Sequence, residues 1–337
     1  MRLNDLVNEM LPAVEEELQR VVAGADGEGF SDLHHMLAYH MGWEGEGAGP
    51  EARGKRIRPL LVLLTTSAAG GDWQAALPAA ASIELIHNFS LIHDDIEDNS
   101  PLRRGRQTLW KLWGLAQAIN TGDTMFSLAH QAIFRLEQSV SPQVALRAAR
   151  MLQDACLSLT QGQFLDISFE NRKEMSLSAY WQMVDGKTAT LLATATNIGA
   201  LVARAGESAC EAYRSFGRSL GFAFQAQDDL LGIWGDAVLT GKSAASDLLS
   251  RKKTLPVIYG LQQNAEFARR WMGGPITAED VPLLAELLER EGARAYTEER
   301  AHQLTEQALT ALEEACPRGE AGQGLRETAQ KLLGRKG

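Results

Sequence analysis

Apolar residues recur at helical spacing along most of the chain, whereas the alternation typical of strands is almost absent. In segment 3–24 they fall on one side of a helix: Leu6, Val7, Met10, Leu11, Val14 and Leu18. Similar spacing predicts a helix leading to an acidic cluster near residue 95, then helices over 109–120, 124–137, 144–169, 177–184, 190–203 and 210–234. Shorter charged helices are predicted from Glu266 onwards. The pattern predicts an all-α fold, a single large helical bundle.

Glycine and polar residues mark the breaks between these segments. A loop is predicted at 42–49, and Gly70-Gly71-Asp72 predicts a turn in which Asp72 caps the next helix. Asp185-Gly186-Lys187-Thr188 interrupts the helical pattern, and 235–253 reads as a polar loop. No linker divides the chain, so we expect one domain over 1–337.

Composition and charge exclude several classes of protein. The chain has 337 residues, 45% of them hydrophobic, and a formal net charge of −10, which argues against a general nucleic-acid binder. Three widely separated cysteines, Cys156, Cys210 and Cys316, form no metal pattern and indicate a reducing compartment. The first residues lack the apolar core of a signal peptide, and no apolar run was expected to reach a membrane span. We therefore expect a soluble cytoplasmic protein without a transmembrane segment.

Four acids within five positions end the apolar helix that precedes residue 94. Asp94 and Asp98 are four apart and share a helix face, and Asp95 flanks them. Carboxylates this close repel one another unless a cation lies between them, and Mg²⁺ prefers such oxygen ligands. A solvated acidic helix end is the alternative, but the preceding apolar face and the following Arg103-Arg104-Gly105-Arg106 favour a site.

A second apolar helix ends in Asp228-Asp229 and is also followed by basic residues. If the two acidic ends face each other, their carboxylates could hold several Mg²⁺ ions and, with lysines and arginines, bind a diphosphate. Apolar helix walls beside them would accept a hydrocarbon. The pattern predicts a site for an amphiphile with a diphosphate head.

A series of motifs in the order of one known family extends from about residue 50 to 260. They are Gly54-Lys55-Arg56-Ile57-Arg58-Pro59, Glu84-Leu85-Ile86-His87, Asp94-Asp95-Ile96-Glu97-Asp98, Leu102-Arg103-Arg104-Gly105, Gly162-Gln163, Lys187-Thr188, Phe224-Gln225-Ala226-Gln227-Asp228-Asp229, Gly241-Lys242, Asp247-Leu248 and Lys252-Lys253-Thr254-Leu255-Pro256. The chain resembles the trans-isoprenyl diphosphate synthases, the polyprenyl synthetase family. The resemblance implies the isoprenoid synthase fold, a helical bundle around a central apolar cavity, and usually a homodimer.

The resemblance also implies a Mg²⁺-dependent reaction in which isopentenyl diphosphate adds to an allylic diphosphate: dimethylallyl, geranyl or farnesyl. By motif position, the metal ligands would be Asp94, Asp98, Asp228 and Asp229, with Asp95 and Lys187 also at the reacting centre. Residues expected to bind isopentenyl diphosphate are Lys55, Arg58, His87 and Arg104. Those expected on the allylic side are Arg103, Lys187, Thr188, Gln225, Lys242 and Lys252.

Several of these residues also have a purely structural interpretation. His87 alone would more often be a core histidine, and His93 is expected to be structural. Arg103 and Arg104 could be surface arginines, and Lys187-Thr188 a simple helix start.

Two positions depart from the family pattern. The second acidic motif usually ends in aspartate, but here that position is Gly232, and Asp236 lies further on. A glycine usual before Asp247 is replaced by Ala245. Both departures fall on the allylic side and put substrate choice or closure there in question.

Product length in this family depends on side chains just before the first acidic motif. Phe89 and Ser90 occupy those positions, and no insertion separates Asp95 from Asp98. A single aromatic resembles the geranylgeranyl (C20) pattern slightly more than the farnesyl (C15) pattern, although Phe89 could instead turn into the helix core. The alternatives are a class I terpene cyclase and a non-catalytic partner subunit of a prenyl synthase; intact Lys55, Arg58 and Arg104 argue against the cyclase.

Overall fold

The computed structural model describes residues 3–170, 172, 175–235 and 246–333, and this part of the chain is almost entirely α-helical, which confirms the all-α prediction. The first helices are α1 Leu3–Val22, α2 Ser31–His40, α3 Pro50–Arg53, α4 Ile57–Ala68, α5 Leu77–Glu97, α6 Leu109–Phe134, α7 Pro142–Glu170 and α8 Leu177–Val184. They are followed by α9 Thr190–Val202, α10 Glu207–Trp234, α11 Ser246–Leu249, α12 Leu255–Gln262, α13 Glu266–Met272, α14 Val281–Arg290, α15 Ala293–Glu314 and α16 Gly319–Leu333.

A small hairpin carries the basic segment that follows the first acidic cluster. Strand β1, Leu102–Arg103, pairs antiparallel with β2, Arg106–Gln107, so that Arg103 lies opposite Arg106. The two turn residues both have positive φ, 51° at Arg104 and 75° at Gly105. Such a two-residue turn matches the right-handed twist of the strands. It holds Arg104 at the tip, separated from the arginines on either side.

The chain forms two compact units. The first comprises Met1–Cys156, Thr194–Tyr213 and Ala315–Leu325, and the second Leu157–Ala193, Arg214–Glu314 and Arg326–Gly337. The expectation of one domain over the whole chain stays a prediction.

In the first unit, α4 is deeply buried, with Leu60 to Thr66 all inside. The Thr66 hydroxyl donates to the carbonyl oxygens of Val62 and Gly199 at 2.9 and 3.1 Å. A Cβ at position 199 would lie 2.5 Å from Val62 O, so this backbone approach requires glycine. The tight contact fixes α4, which begins directly after the basic loop at 54–56.

The second unit has two apolar clusters. One surrounds Tyr180 and Leu255, and the other includes Ile233, Leu248 and Phe267. Leu255, Phe267 and Leu248 have no exposed surface. These clusters hold the C-terminal end of α10, where the second acidic pair lies.

Three local predictions differ from the structure. The two helices predicted over 109–120 and 124–137 are one helix, α6, with its non-helical residue at Gly114 (φ 81°). The break predicted at Asp185-Gly186-Lys187-Thr188 lies in a π-helical turn, Asp185–Ala189, that continues α8 into α9. Near the C-terminus, α15 has 22 residues and is longer than predicted. Asp72 does cap as predicted, because its side chain accepts from Gln74 N.

One helical stretch, Trp73–Glu97, has the length and apolar content of a membrane span. Its most apolar part is 61% buried inside the fold. A buried core helix can have the same length and composition, so the expectation of no transmembrane segment stays a prediction.

Candidate functional site

The basic loop before α4 is held by a buried arginine that the site prediction did not include. Arg56 has a left-handed backbone (φ 46°) and is 4% exposed. Its guanidinium donates to Glu15 Oε1 at 2.6 Å, to Glu84 Oε1 at 2.9 Å and to Met41 O at 3.2 Å. All three partners are internal, so Arg56 fixes the loop. Its neighbour Lys55 is exposed.

Arg58 and His87 form a pair, and their predicted role in binding isopentenyl diphosphate stays a prediction. Arg58 Nη1 lies 3.2 Å from His87 Nε2. Burial, and then Arg58 and the neighbouring arginines, lower the pKa of His87 well below its usual range. His87 is therefore neutral and accepts from Arg58 at Nε2, which leaves its proton on Nδ1. Arg58 Nε is buried without a hydrogen-bond partner in the described part of the chain.

Arg104 crosses over the basic loop. Its Nη1 donates to Ala52 O at 2.8 Å, and a Cβ at position 54 would lie 2.6 Å from its Nη2. Only glycine at 54 leaves room for the guanidinium, which is the physical reason for this glycine in the motif. The structure thus brings Arg104 to the loop that carries Lys55 and Arg58.

His40, at the end of α2, belongs to the same region and was missed from the sequence. It lines a pocket together with Arg103, Arg104 and Arg106. Burial, followed by these arginines and Arg56, lowers the pKa of His40 to about 3. Its Nε2 is buried without a partner among the described residues. A lone histidine at a helix end carries no sequence signal that could have identified it.

At the first acidic helix end, the three aspartates have different environments. Asp94, in the last turn of α5, is half-buried, and Asp98, which directly follows the helix as its C-cap, is exposed. Asp95 is 3% exposed and accepts from Arg103 Nε at 2.8 Å (Oδ1) and 2.9 Å (Oδ2). Burial raises the pKa of Asp95 to about 6 although Arg103 opposes the shift. The roles predicted for Asp95 at the reacting centre and for Arg103 on the allylic side stay predictions, and their observed contact is with each other.

Phe89 lies in a row of four rings. It packs against His93 and Phe126, with centroid distances of 4.9 and 5.0 Å, and Phe126 packs against His130 at 4.4 Å. Ser90 donates to His87 O at 2.7 Å. A Cβ at Gly122 would lie 2.3 Å from His93 Nε2, so His93 is packed against α6. A second aromatic ring thus stands beside Phe89, but it comes from α6 and not from the motif.

In the second unit, both carboxylate oxygens of Asp229 accept hydrogen bonds. Its Oδ1 accepts from Gln225 Nε2 at 2.9 Å, and its Oδ2 accepts from Tyr180 Oη at 2.6 Å and from Leu255 N at 2.7 Å. Burial raises the pKa of Asp229 to about 6. The carboxylate caps the N-terminus of α12 and ties it to α8 and α10. Its predicted role as a metal ligand stays a prediction, whereas Asp228 is half-buried at the helix surface.

Thr188 and Gln225 extend this hydrogen-bonded chain. Thr188 Oγ1 donates to Gln225 Oε1 at 3.0 Å. Lys187 Nζ is 2.5 Å from Asp166 Oδ2, a carboxylate that the sequence interpretation missed. A Cβ at Gly162 would lie 2.2 Å from Lys187 N, which explains the glycine of the Gly162-Gln163 motif. Thr188 and Gln225 are thus in direct contact, and the preceding residue Lys187 contacts Asp166; their predicted role on the allylic side stays a prediction.

Lys252 is exposed, and carboxylates dominate its surroundings. Desolvation would lower the pKa of Lys252, but four carboxylates raise it above its usual range: Asp247, Asp166, Asp229 and Asp228. Lys253 instead donates to the carbonyl oxygens of Phe169 and Glu170. The predicted residue Lys242, and the positions 236 and 245, lie outside the described residues.

No metal cage is preformed in the part of the chain that the structure describes. There, no three histidine, cysteine or carboxylate side chains lie close enough to hold an ion by themselves.

Comparison with known proteins matches residues 49–282 to the polyprenyl synthetase family. The chain is 43% identical over 287 residues to a (2E,6E)-farnesyl diphosphate synthase of Mycobacterium tuberculosis, covering 82% of this chain and 79% of that protein. It is 39% identical over 290 residues to a geranylgeranyl diphosphate synthase of the same organism, covering 84% and 82%. The geranylgeranyl pyrophosphate synthetase structure from Pyrococcus horikoshii superposes with a TM-score of 0.89 at 31% identity, over 99% of this chain and 98% of that one. The chain therefore belongs to the polyprenyl synthetase family and is a trans-prenyltransferase of the short-chain type.

Proposed function

We propose that this short-chain trans-prenyltransferase joins isopentenyl diphosphate to dimethylallyl, geranyl or farnesyl diphosphate. The observation that carries the proposal is the basic group at the loop before α4. There, Arg58 presents a buried N–H without a partner among the described residues, beside neutral His87 and the crossing guanidinium of Arg104. Unpaired buried donors are costly, and an anion satisfies them.

The first unit binds the diphosphate of isopentenyl diphosphate. Lys55, exposed at the rim, and the guanidinium groups of Arg58 and Arg104 neutralise it, and His87 donates from Nδ1. Arg56 is not assigned to the substrate, because it is 4% exposed and each of its three guanidinium nitrogens already donates to an internal acceptor.

The allylic diphosphate is bound by Lys187, Thr188, Gln225 and Lys252, with Lys242 outside the described residues. Asp166 orients Lys187, and Asp229 orients Gln225, which in turn orients Thr188. We assign Asp229 to positioning because both its oxygens are already occupied, and Asp95 to orienting Arg103 for the same reason.

Asp94, Asp98 and Asp228 provide the oxygen donors for Mg²⁺. Asp94 and Asp98 share a helix face, and these three carboxylates are the less buried members of the two acidic motifs. Hard oxygen ligands with room for water and phosphate are what Mg²⁺ requires. When bound, the ions offset the charge that develops on the leaving diphosphate.

In the reaction, the allylic C–O bond breaks and its electron pair leaves with the diphosphate. The double bond of isopentenyl diphosphate forms the new C–C bond to the allylic carbon. The proton lost from the isopentenyl unit passes to the expelled diphosphate, which restores a double bond in the product. The protein holds both diphosphates and shields the cationic carbon from water.

The main product is geranylgeranyl diphosphate (C20) in preference to C15. Support comes from the single aromatic residue, Phe89, before the first acidic motif and from the absence of an insertion within it. The half-buried ring of Phe89 packs against Phe126, where it can limit the length of the growing chain.

Purified protein incubated with Mg²⁺, isopentenyl diphosphate and each of the three primers tests these assignments. Chromatography is expected to show a C20 diphosphate from every primer. A hydrocarbon formed without isopentenyl diphosphate would instead indicate a terpene cyclase. Absence of any product until a homologous subunit is added would indicate a non-catalytic partner.

The enzyme is a homodimer in the cytoplasm. Leu115 and Ile119, four apart on α6, are 56% and 45% exposed, which suits an apolar contact between two copies. All three cysteines are free, as a reducing compartment requires. Sedimentation equilibrium of the wild type and of a Leu115→Glu variant tests the dimer; a monomeric wild type would exclude it.

A further inference from the structure

Glu15, on α1, bridges the two ends of the segment that leads into α4. Its Oε2 accepts from Trp43 Nε1 at 2.7 Å, and its Oε1 accepts from Arg56 Nε at 2.6 Å. The side chains of Glu15 and Arg56 are 16% and 3% exposed, so their ion pair is largely shielded from water. Glu15 lies outside residues 49–282, the part of the chain that matches the family. The basic loop is thus held partly by a residue outside the motifs.

The segment between these two contacts, 43–56, folds back on itself. A Cβ at position 42 would lie 2.6 Å from Ala52 C and 2.7 Å from Arg53 N, so the beginning of the segment lies against its end. Ala52 O is also the acceptor of the Arg104 hydrogen bond. A shift of this segment would therefore move the acceptor of Arg104 together with the backbone of Lys55.

The backbone of Arg56 depends on the contacts of its side chain. Its φ of 46° is left-handed, a conformation that a residue with a Cβ adopts at a cost in free energy. Lys55 precedes it directly, and Arg58 follows two residues later in the first turn of α4. If Arg56 relaxed to an ordinary backbone conformation, the chain would change direction between Lys55 and Arg58.

A carboxylate meets the requirements of position 15. Both partners are N–H donors, and the two oxygens of a carboxylate accept from both. A glutamine there has one acceptor oxygen and one NH₂ group, so it can accept from Arg56 or from Trp43 but not from both. Charge matters as well, because Arg56 is a buried cation whose carboxylate partners are Glu15 and Glu84.

We propose that Glu15 is a positioning residue for isopentenyl diphosphate: it fixes Trp43 and Arg56, and through them the loop that carries Lys55 and leads to Arg58. The proposal rests on the proposed function of these basic residues. Glu15 acts through Arg56 and Trp43, because both its oxygens are occupied by them. Its loss should therefore weaken the binding of one substrate and leave the chemical step largely unchanged.

Steady-state kinetics of Glu15→Ala, with each substrate varied in turn, tests this role. The KM of isopentenyl diphosphate should rise about tenfold or more, because a displacement of about 1 Å in a binding group can cost this much. The KM of geranyl diphosphate should stay within about twofold of the wild-type value. Calorimetry with isopentenyl diphosphate alone, which has no primer to react with, should show the same weakening in Kd.

Two other carboxylates of α1 provide the controls. Glu16→Ala removes an exposed charge next to Glu15 and should change neither KM. Glu17 is 4% exposed and pairs with Arg20 and Arg135 instead of with the loop. Glu17→Gln should therefore lower the Tm without raising either KM, which separates positioning from a general loss of stability.

Trp43→Phe and Glu15→Gln are milder changes that test the geometry even if Glu15→Ala fails to fold. Each disrupts one hydrogen bond and should raise the KM of isopentenyl diphosphate about threefold. In the double variant, the glutamine oxygen can accept from Arg56 while its NH₂ group meets no second donor. The increase in KM should then be smaller than the product of the two single increases.

An unchanged KM of isopentenyl diphosphate in Glu15→Ala, an equal rise in both KM values, or an equal rise in Glu17→Gln would overturn the proposal. So would a double variant whose increase equals the product of the single ones. In each of these cases the wild type still elongates its primers. A wild type that binds no isopentenyl diphosphate and elongates no primer would instead overturn the proposed function, and this proposal with it.

Discussion

At the scale of single residues, four arginines of the basic region carry the same charge but have different contacts. Arg56 and Arg106 each donate to three internal acceptors; those of Arg106 are the carbonyl oxygens of Tyr39, Glu44 and Glu46. Arg58 and Arg104 each make one hydrogen bond within the described residues, to His87 and to Ala52 O. The first pair therefore holds the loop and the hairpin, and the second pair remains available to an anion.

Arg104→Ala is expected to raise the KM of isopentenyl diphosphate by roughly 10- to 100-fold, because it removes a charge-assisted hydrogen bond worth about 1.5–3 kcal/mol. The KM of the allylic substrate should change much less. Steady-state kinetics with each substrate varied in turn measures both. Arg106→Ala in the same hairpin is the matched control and should lower stability with little effect on either KM. Equal changes in the two KM values for Arg104→Ala would contradict the assignment.

His40 predicts a dependence of stability on pH. Its pKa of about 3 in the folded protein is below the unfolded value of about 6.5, so the stability it contributes is present above pH 6.5 and is lost as the pH falls towards 3. Between pH 7 and pH 5, protonation in the unfolded state alone should lower the free energy of unfolding by about 2 kcal/mol.

Urea unfolding of the wild type and of His40→Asn at pH 7 and pH 5 measures the contribution of His40 to this loss of stability. The variant should lose about 2 kcal/mol less than the wild type over the same interval. His302→Asn, at an exposed position, is the control. Identical losses in the wild type and in His40→Asn would show that His40 is protonated in the folded protein.

At the scale of elements, α5 and α6 together form the ring contact that the motif alone does not contain. Phe89 projects from α5 and Phe126 from α6, and their centroids are 5.0 Å apart. A rule that counts aromatic residues next to the acidic motif finds one ring, whereas the fold provides two. We therefore expect product length to depend on both helices.

Phe89→Ala and Phe126→Ala are each expected to lengthen the product, because a phenyl ring fills about the volume of one five-carbon unit. The double variant should extend it further. Chromatography after exhaustive extension with excess isopentenyl diphosphate measures the change. Phe134→Ala, which removes a ring 55% exposed at the end of α6, is the control and should leave the distribution unchanged. A folded, active double variant with the parent's products would place the limit elsewhere.

At the scale of the whole molecule, the two groups of residues proposed to bind the diphosphates belong to different compact units. Lys55, Arg58, His87 and Arg104 lie in the first, and Lys187, Thr188, Gln225 and Lys252 in the second. Each group is built from contacts within its own unit. The two substrates are therefore expected to stabilise the protein independently.

Isopentenyl diphosphate at 100 times its Kd should raise the free energy of unfolding by about 2.7 kcal/mol. Arg58→Ala should abolish this effect at the same concentration and retain Mg²⁺-dependent stabilisation by geranyl diphosphate. Asp228→Asn, in the second unit, should show the reverse. Thermal unfolding with each ligand separately is the measurement. Loss of both effects in either variant would mean that the two sites are not independent.

The sequence by itself determined the all-α class, most helix positions, the shared face of Asp94 and Asp98, and the family. These depend on periodicity within one element or on residue order, and both are visible along the chain. The sequence showed Gly54 and Gly162 as members of motifs, but it did not show why glycine is needed there. The structure gives the reason: Gly54 leaves room for Arg104, and Gly162 leaves room for the backbone of Lys187.

Only the tertiary structure decided which side chains meet across elements. Arg103 with Asp95, Lys187 with Asp166, Phe89 with Phe126, and Gly232 with Asp247 are contacts between residues that no helical period relates. The tertiary structure also decided which side chains are buried. Buried Asp229 caps the N-terminus of α12, and burial keeps His40 neutral. Such contacts depend on how helices pack, and a local pattern does not specify packing.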